Sequence, residues 1–175
     1  MIKEQKIILP EDLDRNGMAE IIPIEHLQNK IEYLRSKNHD IKIVVTNGCF
    51  DILHVGHIRS LQKAKSLGDI LVVGLNNDNS VKKIKGDKRP INNEKERAEV
   101  LAALSCIDIV TIFNEETAER FIEIIKPEIY VKGSEYNLDK LPEAKTVNKY
   151  GGRIYQIPMI PNSSTTSLIE KIKKI

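Results

Sequence analysis

The strongest constraint on the fold of this chain is a regular alternation of short apolar runs with segments of helical periodicity. Five runs rich in β-branched residues occupy residues 41–46, 69–76, 107–113, 128–133 and 153–159. They are almost continuously apolar, which is typical of strands buried on both faces of a parallel sheet. Helical patterns occur near residues 56–67, 94–104, 117–126, 141–149 and 165–174. This alternation predicts an α/β fold, with a doubly wound, five-stranded, mostly parallel sheet and helices on both faces.

The chain has room for one domain with a short amino-terminal extension. Its 175 residues suffice for one substantial core. Residues 1–23 mix charges with prolines and a glycine, and are interpreted as an irregular arm. Apolar residues then recur at helical spacing at Ile24, Leu27, Ile31 and Leu34. We therefore expect an arm and a helix over residues 1–40, and the principal domain over residues 41–175.

The composition favours a soluble intracellular protein. Hydrophobic residues make up 41% and charged residues 30% of the chain, and a net charge of +2 gives no electrostatic reason to expect a nucleic-acid partner. No apolar run approaches the ~20 residues that span a bilayer, so we expect no membrane association. Cys49 and Cys106 do not form a CxxC pair, and reduced thiols in the cytoplasm are the simplest interpretation.

Two pairs of polar residues predict where helices begin. Asn93 with Glu96, and Ser167 with Glu170, have the spacing of a capping box, in which each side chain accepts a hydrogen bond from a free amide at the helix start.

The turn after the first predicted strand carries an unusual set of residues. The stretch TNGCFDILHVGH covers residues 46–57, and a helix beginning near Val55 or Gly56 would place His54 and His57 one turn apart at its amino end. Free amides and the helix dipole favour an anion there, and Gly56 lets a phosphate approach the backbone. The turn lacks GxGxxG, which argues against an NAD-type dehydrogenase.

Three interpretations of the two histidines are open. As metal ligands with Cys49 they would form an incomplete zinc site, because a structural zinc ion requires four ligands. As ordinary residues, one would be a satisfied core histidine and the other a helix cap. As catalytic residues, both imidazoles would donate hydrogen bonds to a reacting phosphate and stabilise the charge that develops in the transition state.

Several motifs together resemble a known family. In chain order they are TNGCFDILHVGHIRSLQKAKSLGDILVVGLNNDNSVKKIKG, RPINNEKERAEVLAALSCIDIV, VKGSEY, YGGRIYQIP and SSTTSLIEKI. The HxGH turn after GxFD is similar to that of the nucleotidyltransferase superfamily that includes the glycerol-3-phosphate and choline-phosphate cytidylyltransferases. The longer match, from about Ile24 to the end, resembles the nucleotidyltransferase domain of the ADP-heptose synthases.

The resemblance implies a Rossmann-like fold and an activity. A nucleoside monophosphate would pass from a nucleoside triphosphate, here ATP accompanied by Mg²⁺, to a sugar 1-phosphate, and pyrophosphate would leave. The implied acceptor is D-glycero-D-manno-heptose 1-phosphate. A homodimer is also implied, to which the amino-terminal helix would contribute.

The resemblance further assigns roles to individual residues. The implied catalytic residues are His54, His57 and Lys85. The implied nucleotide-binding residues are Gly48, Cys49, Phe50, Gly56, Ser164, Thr165 and Thr166. The implied substrate-binding residues are Asp51, Arg97, Lys132 and Gly133.

Three of the charged residues also have an ordinary interpretation. Lys85 belongs to the run SVKKIKGDKRP, and such a run is usually a solvated loop. Arg97 would be an exposed helical arginine paired with Glu94 or Glu99. Lys132 would be a surface lysine at the end of the fourth predicted strand.

The hydroxyl cluster NSSTTSL precedes the last predicted helix. Capping that helix needs only one of the residues Ser164 to Thr166, and three in a row exceed the need. In the superfamily an STT at this point binds nucleotide phosphates through hydroxyls and helix-start amides. The cytidylyltransferase form carries an arginine five residues before the ST, whereas Met159 stands here, which argues against CTP.

Other functions compatible with these motifs remain open. The same fold would serve a cytidylyl- or guanylyltransferase that acts on another sugar or polyol phosphate, such as glycerol 3-phosphate. A nucleotide-sensing module without catalysis is a second class, because a fold alone does not determine function. A zinc-dependent protein is a third.

Overall fold

A single parallel sheet organises the chain. The computed structural model describes residues 17–158 and 164–175, and in these it contains six strands. They are β1 (Glu20–Ile21), β2 (Ile43–Gly48), β3 (Ile70–Asn76), β4 (Ile109–Phe113), β5 (Ile129–Gly133) and β6 (Arg153–Ile157). The strand order is β1-β4-β3-β2-β5-β6, and the pairings are parallel.

Seven α-helices accompany the sheet in the same described residues. They are α1 (Ile24–Lys37), α2 (Val55–Lys65), α3 (Asp78–Lys85), α4 (Glu94–Ala102), α5 (Glu119–Ile125), α6 (Pro142–Lys149) and α7 (Thr165–Ile172). A short 3-10 turn covers Leu138–Lys140. None of the helices described is both long and apolar enough to cross a membrane.

The apolar residues of the strands separate into two cores, one on each face of the sheet. On β2, Ile43 and Val45 belong to the core that also contains residues of α1, α5 and α6. Val44 between them belongs to the other core, with Leu61 of α2 and Leu101 of α4. Since successive strand residues point to opposite faces, a continuous apolar run is what this two-sided burial requires.

The strand order reverses at β2, and this reversal positions the site. From β2 the chain moves outward through β3 to β4, and it then returns to place β5 on the other side of β2. In open parallel sheets, ligands bind at the carboxyl ends of the strands that flank such a reversal. The carboxyl ends of β2 and β5 lie at Gly48 and Gly133.

The predicted α/β fold with a parallel sheet is confirmed, and the strand count is corrected from five to six. Glu20 and Ile21, which were expected to lie in an irregular arm, form β1 and pair with Ile109 and Val110 of β4. Two residues are too few to show a strand pattern in sequence. Residues 1–16 of the predicted arm lie outside the described residues.

Of the two predicted capping boxes, one is present and the other is not. The capping box of Asn93 and Glu96 is confirmed at the start of α4. The pairing of Ser167 with Glu170 is wrong, because Ser164 caps α7 and Ser167 is its reciprocal partner. The predicted loop after the second of the five runs contains α3, whose first turn is capped by Asn77.

Candidate active site

A cavity of about 530 Å³ opens where β2 and β5 end. Its wall includes most of the residues singled out in the sequence: Gly48, Cys49, Phe50, Asp51, His54, Gly56, His57, Lys85, Lys132, Gly133, Ser164, Thr165 and Thr166. The amino ends of α2 and α7, the first and last helices of the principal domain, therefore both face this cavity. Arg97 is the predicted site residue that the cavity wall does not include.

His54 is fixed by its own helix. It is the N-cap residue of α2, and its Nδ1 accepts a hydrogen bond of 3.1 Å from the amide of Gly56. An accepting Nδ1 carries no proton, so the neutral ring carries its proton on Nε2. His54 therefore combines the capping role with an N–H donor that has no partner among residues 17–158 and 164–175. The Gly56 amide is used by this cap.

His57 stacks on His54 one turn later. The ring centroids lie 3.8 Å apart, and the Nδ1 of His57 is buried without a hydrogen-bond partner in the described part of the chain. Burial lowers the pKa of His54, and burial followed by the charge of His54 lowers the pKa of His57 to about 4. Both rings are accordingly neutral near pH 7.

The turn before α2 contacts the ring of His57 through Phe50. Phe50 adopts a positive φ of 41°, and its ring lies against that of His57 with a centroid distance of 5.3 Å. A Cβ on Gly48 would lie 3.1 Å from the Phe50 ring. Glycine at position 48 thus leaves room for the aromatic ring that orients His57.

Asp51 connects the turn to the loop after α3. Its carboxylate, only 3% exposed, accepts hydrogen bonds from Arg89 Nε at 2.5 Å, the Ile91 amide at 2.8 Å and the Asn92 amide at 3.1 Å. Burial alone would raise the pKa of Asp51, but these hydrogen bonds and the charge of Arg89 lower it overall. Asp51 shapes the cavity wall, and its direct contact with a substrate stays a prediction.

Arg97 has a similar connecting position but faces the protein interior. The side chain is 1% exposed and donates to the carbonyls of Asn92 at 3.0 Å and Cys49 at 2.5 Å, and to Asp78 Oδ1 at 2.8 Å. The alternative interpretation as an exposed arginine paired with Glu94 or Glu99 is wrong. α4 directs the side chain inward, where carbonyl oxygens and one carboxylate satisfy the guanidinium.

Lys85 is the last residue of α3 and is exposed at the cavity wall. Its helical neighbour Lys83 forms an ion pair of 2.9 Å with Glu116. Lys85 takes part in none of the ion pairs found among residues 17–158 and 164–175. Its ammonium group is therefore available to a ligand in the cavity. The solvated-loop interpretation is wrong for Lys82 and Lys83, which lie on α3, and it fits Lys88, which is exposed in the loop after that helix.

Lys132 is buried, so the alternative interpretation as a surface lysine is wrong. The residue is 8% exposed, and its Nζ donates to Asn47 Oδ1 at 2.9 Å. The hydroxyl of Tyr130 donates to the same oxygen at 2.7 Å, and the Tyr136 ring lies 4.9 Å from Nζ. Burial lowers the pKa of Lys132. The ammonium retains donors beyond the one that Asn47 accepts, and it faces the cavity.

Three residues of the hydroxyl cluster occupy different positions and make different contacts. Ser164 caps α7 by accepting a hydrogen bond of 3.1 Å from the Ser167 amide. Thr165 Oγ1 donates to the Ile52 carbonyl at 3.2 Å, which holds α7 against the turn before α2. Thr166 is exposed at the cavity wall. The cluster therefore exceeds simple capping, while Met159 lies outside the described residues.

Sequence reasoning missed several residues of the wall. Asn47 and Tyr136 lie beside Lys132 on the wall, and the buried Glu143 at the start of α6 lines the same cavity. Asn47 at the end of a predicted strand was a usable signal, because the carboxyl ends of strands carry ligand contacts. Glu143 had no such signal.

A protein-held metal ion is not supported by the chemistry of this wall. No group of three or more His, Cys, Asp or Glu residues suited to a metal occurs among the residues described. The Asp51 carboxylate is already occupied by Arg89 and two amides.

Comparison with known proteins gives a consistent result. Residues 45–171 match the cytidylyltransferase-like family. The bifunctional protein HldE of Geobacter metallireducens is 49% identical over 157 residues, which are 90% of this chain and 30% of that protein. The bifunctional protein HldE of Helicobacter pylori is 47% identical over 154 residues, or 88% of this chain and 31% of that protein. The chain spans less than a third of the length of these relatives.

Two solved structures are similar. The lipopolysaccharide core biosynthesis protein of Thermoplasma volcanium superposes with a TM-score of 0.56 at 32% identity, covering 69% of this chain and 97% of that chain. A pantoate-beta-alanine ligase of Francisella tularensis, complexed with beta-gamma ATP and beta-alanine, has a TM-score of 0.58 at 16% identity. It covers 90% of this chain and 78% of its own, and at this identity it shows the fold alone.

Proposed function

The chain belongs to the cytidylyltransferase-like family of nucleotidyltransferases, and from this premise we propose that it transfers a nucleoside monophosphate from a nucleoside triphosphate to a sugar 1-phosphate. ATP is the proposed donor and heptose 1-phosphate the proposed acceptor, so that the product is ADP-heptose. Support comes from the motifs shared with ADP-heptose synthases, from relatives named HldE, and from a similar structure named for lipopolysaccharide core biosynthesis.

One observation carries the proposal. The stacked pair of His54 and His57 lines the same cavity as Ser164, Thr165 and Thr166. Each group lies at the amino end of a helix, where backbone amides and the helix dipole favour anions. Two such ends in one cavity suit a chain of phosphoryl groups better than a single phosphate.

The reaction follows from this arrangement. An oxygen of the acceptor phosphate attacks the α-phosphorus in line, the bond from that phosphorus to the bridging oxygen breaks, and pyrophosphate leaves with the bonding electrons. The acceptor attacks directly, so no covalent enzyme intermediate is required. Catalysis then consists of positioning the two substrates and stabilising the charge of the transition state.

The donors of the cavity supply that stabilisation. His54 presents its Nε2–H to a phosphate oxygen, and His57, stacked against it, presents a second imidazole N–H. Lys85 and Lys132 add positive charge from two other elements, α3 and β5. Fixed donors of this kind are effective because they need little reorganisation when the charge appears.

Mg²⁺ enters as part of the nucleotide substrate. Nucleoside triphosphates bind Mg²⁺ through their phosphate oxygens, and protein sites commonly leave several of its ligands to phosphate and water.

The same proposal places the enzyme in the cytoplasm, where nucleoside triphosphates are available and thiols such as Cys49 stay reduced. It also includes assembly of the enzyme as a homodimer.

A matrix of substrates tests the proposal. Pyrophosphate release is measured for ATP, CTP and GTP, each with heptose 1-phosphate, other sugar 1-phosphates and glycerol 3-phosphate. We expect the highest kcat/KM for ATP with heptose 1-phosphate. A preference for CTP or GTP with a polyol phosphate would show that ATP and heptose 1-phosphate are not the substrates. Tight ATP binding without pyrophosphate release with any acceptor would indicate a nucleotide sensor.

A further inference from the structure

Two buried groups of opposite charge line the part of the cavity formed by β5 and α6. Lys132 at the end of β5 is 8% exposed, and Glu143 in the first turn of α6 is 4% exposed. Burying either charge is costly unless partners compensate it. Their partners therefore indicate what the cavity is built to hold.

Of the two carboxylate oxygens of Glu143, one has a hydrogen-bond partner in the part of the chain that the structure describes. Its Oε1 accepts a hydrogen bond of 3.0 Å from the amide of Ala118, which fixes the loop before α5. Its Oε2 is buried and has no hydrogen-bond partner in residues 17–158 and 164–175. An unpaired buried acceptor has lost its hydration without compensation, and the loss is greater for a charged group. Such atoms are uncommon in native proteins, and a functional role is one physical explanation for them.

Lys132 does not neutralise this carboxylate directly. Its Nζ bonds to Asn47 and lies near the Tyr136 ring, and no direct ion pair joins it to Glu143 in the described part of the chain. The two charges thus share a cavity wall while each keeps bonding capacity unused. A ligand that carries both an anionic group and a hydroxyl group would satisfy both residues.

We propose that Glu143 determines acceptor specificity: its Oε2 accepts a hydrogen bond from a hydroxyl group of the acceptor, whose phosphate is bound by Lys132. This inference rests on the proposed nucleotidyl transfer to a sugar phosphate. It restricts the acceptor to phosphate monoesters with at least one free hydroxyl group. Phosphocholine, which has no hydroxyl group on its organic part, would leave Oε2 unpaired and bind poorly.

A purely structural role for Glu143 makes a different prediction. If the carboxylate only holds the loop at Ala118, its replacement would lower stability and activity equally for every acceptor. Glu143→Gln keeps an oxygen for the Ala118 amide, whereas Glu143→Ala removes both oxygens. Glu135 offers a matched control, because it is an exposed glutamate on the wall of the same cavity.

The test compares the preferred sugar 1-phosphate with its monodeoxy analogues, each lacking one hydroxyl group. Pyrophosphate release gives kcat/KM for the wild type and for Glu143→Gln, Glu143→Ala and Glu135→Gln, and thermal melting establishes that each variant is folded. In the wild type we expect one analogue to lose about 10- to 100-fold, as for a hydrogen bond to a charged group. This loss should shrink to less than about threefold in Glu143→Ala, shrink partly in Glu143→Gln, and persist in Glu135→Gln.

Two results would overturn the inference while leaving the proposed function intact. One is pyrophosphate release in which every monodeoxy analogue reacts as well as the parent sugar phosphate. The other is a discrimination against one analogue that stays unchanged in folded Glu143→Ala, or in folded Glu143→Gln if the alanine variant does not fold. Absence of pyrophosphate with every acceptor would instead remove both the function and the inference.

Discussion

The imidazole rings of His54 and His57 stack at the amino end of α2, with their centroids 3.8 Å apart and their planes inclined by 26°. Two positive charges at this distance would repel each other, and burial disfavours a charge on either ring. In the proposed function the pair therefore acts on phosphate as neutral hydrogen-bond donors, supported by the helix end. This differs from a cluster of cations, and it makes the site sensitive to acid.

Acid should destabilise the protein through His57. Burial, followed by the charge of His54, lowers the pKa of this histidine from 6.5 to about 4 in the folded state. Between these values the unfolded chain binds a proton that the folded chain does not, so stability falls as the pH falls from 6.5 towards 4. Urea unfolding at pH 7 and pH 5 should show a loss of about 1–2 kcal/mol from this group.

The matched control for this pH effect is another histidine. His57→Gln should lose less stability than the wild type between pH 7 and pH 5, whereas His26→Gln, at an exposed position on α1, should lose as much as the wild type. Equal losses in all three proteins would show that His57 does not resist protonation.

Removing the charge of Asp51 should loosen the loop that carries Arg89. Asp51→Asn keeps one acceptor oxygen but leaves the Arg89 guanidinium without its buried counter-charge. We expect the free energy of unfolding to fall by about 1–3 kcal/mol, and KM for the nucleotide to rise as the wall shifts. Asp87→Asn, in the exposed part of the same loop, should leave urea unfolding unchanged. A stable Asp51→Asn variant would contradict a structural role for this carboxylate.

Arg97 should be irreplaceable by lysine although it does not reach the cavity. Its guanidinium joins Asn92, Cys49 and Asp78, and a single ammonium group cannot satisfy all three at their positions. Arg97→Lys should lower the free energy of unfolding by about 2–4 kcal/mol. Arg120→Lys, at an exposed pair with Glu115, should change it by less than about 0.5 kcal/mol. Urea titrations of both variants decide between a buried network and an ordinary surface charge.

Thr165 and Thr166 should separate stability from nucleotide binding. Thr165→Val loses the hydrogen bond to Ile52, so we expect a loss of about 0.5–1.5 kcal/mol in unfolding free energy.

Thr166→Val leaves the fold intact, because this side chain is exposed at the cavity wall. It should weaken ATP binding about tenfold, the effect of losing one hydrogen bond to a charged phosphate. Calorimetric titration showing unchanged ATP affinity in Thr166→Val would remove the hydroxyl from the nucleotide site.

The sequence predicted the two helix ends that form the site because both follow general rules. A parallel sheet brings the carboxyl ends of its strands to one edge, and each strand is followed by a helix whose amino end points to that edge. The turn at His54 and the cluster at Ser164 to Thr166 both precede predicted helices, so their meeting in one cavity follows from topology.

The charged residues were harder to place, because type and spacing do not reveal burial. Arg97 was interpreted either as a substrate-binding residue or as an exposed helical arginine, but its counter-charge is Asp78, which comes from a helix that the sequence pattern did not show. Glu143 lies in the first turn of a helix, a common position for a glutamate, and its burial depends on how α6 packs beside the loop at Ala118. The burial of both side chains depends on contacts between segments that are distant in the sequence, which local residue patterns do not show.

The most direct test of the central claim is the turnover of His57→Ala with ATP and heptose 1-phosphate, measured by pyrophosphate release at saturating substrates. Loss of one preorganised donor should lower kcat by about 10²- to 10³-fold, while thermal melting shows that the variant is folded. Turnover within about threefold of the wild type in a folded His57→Ala protein would contradict the role of the stacked histidines in stabilising the reacting phosphate.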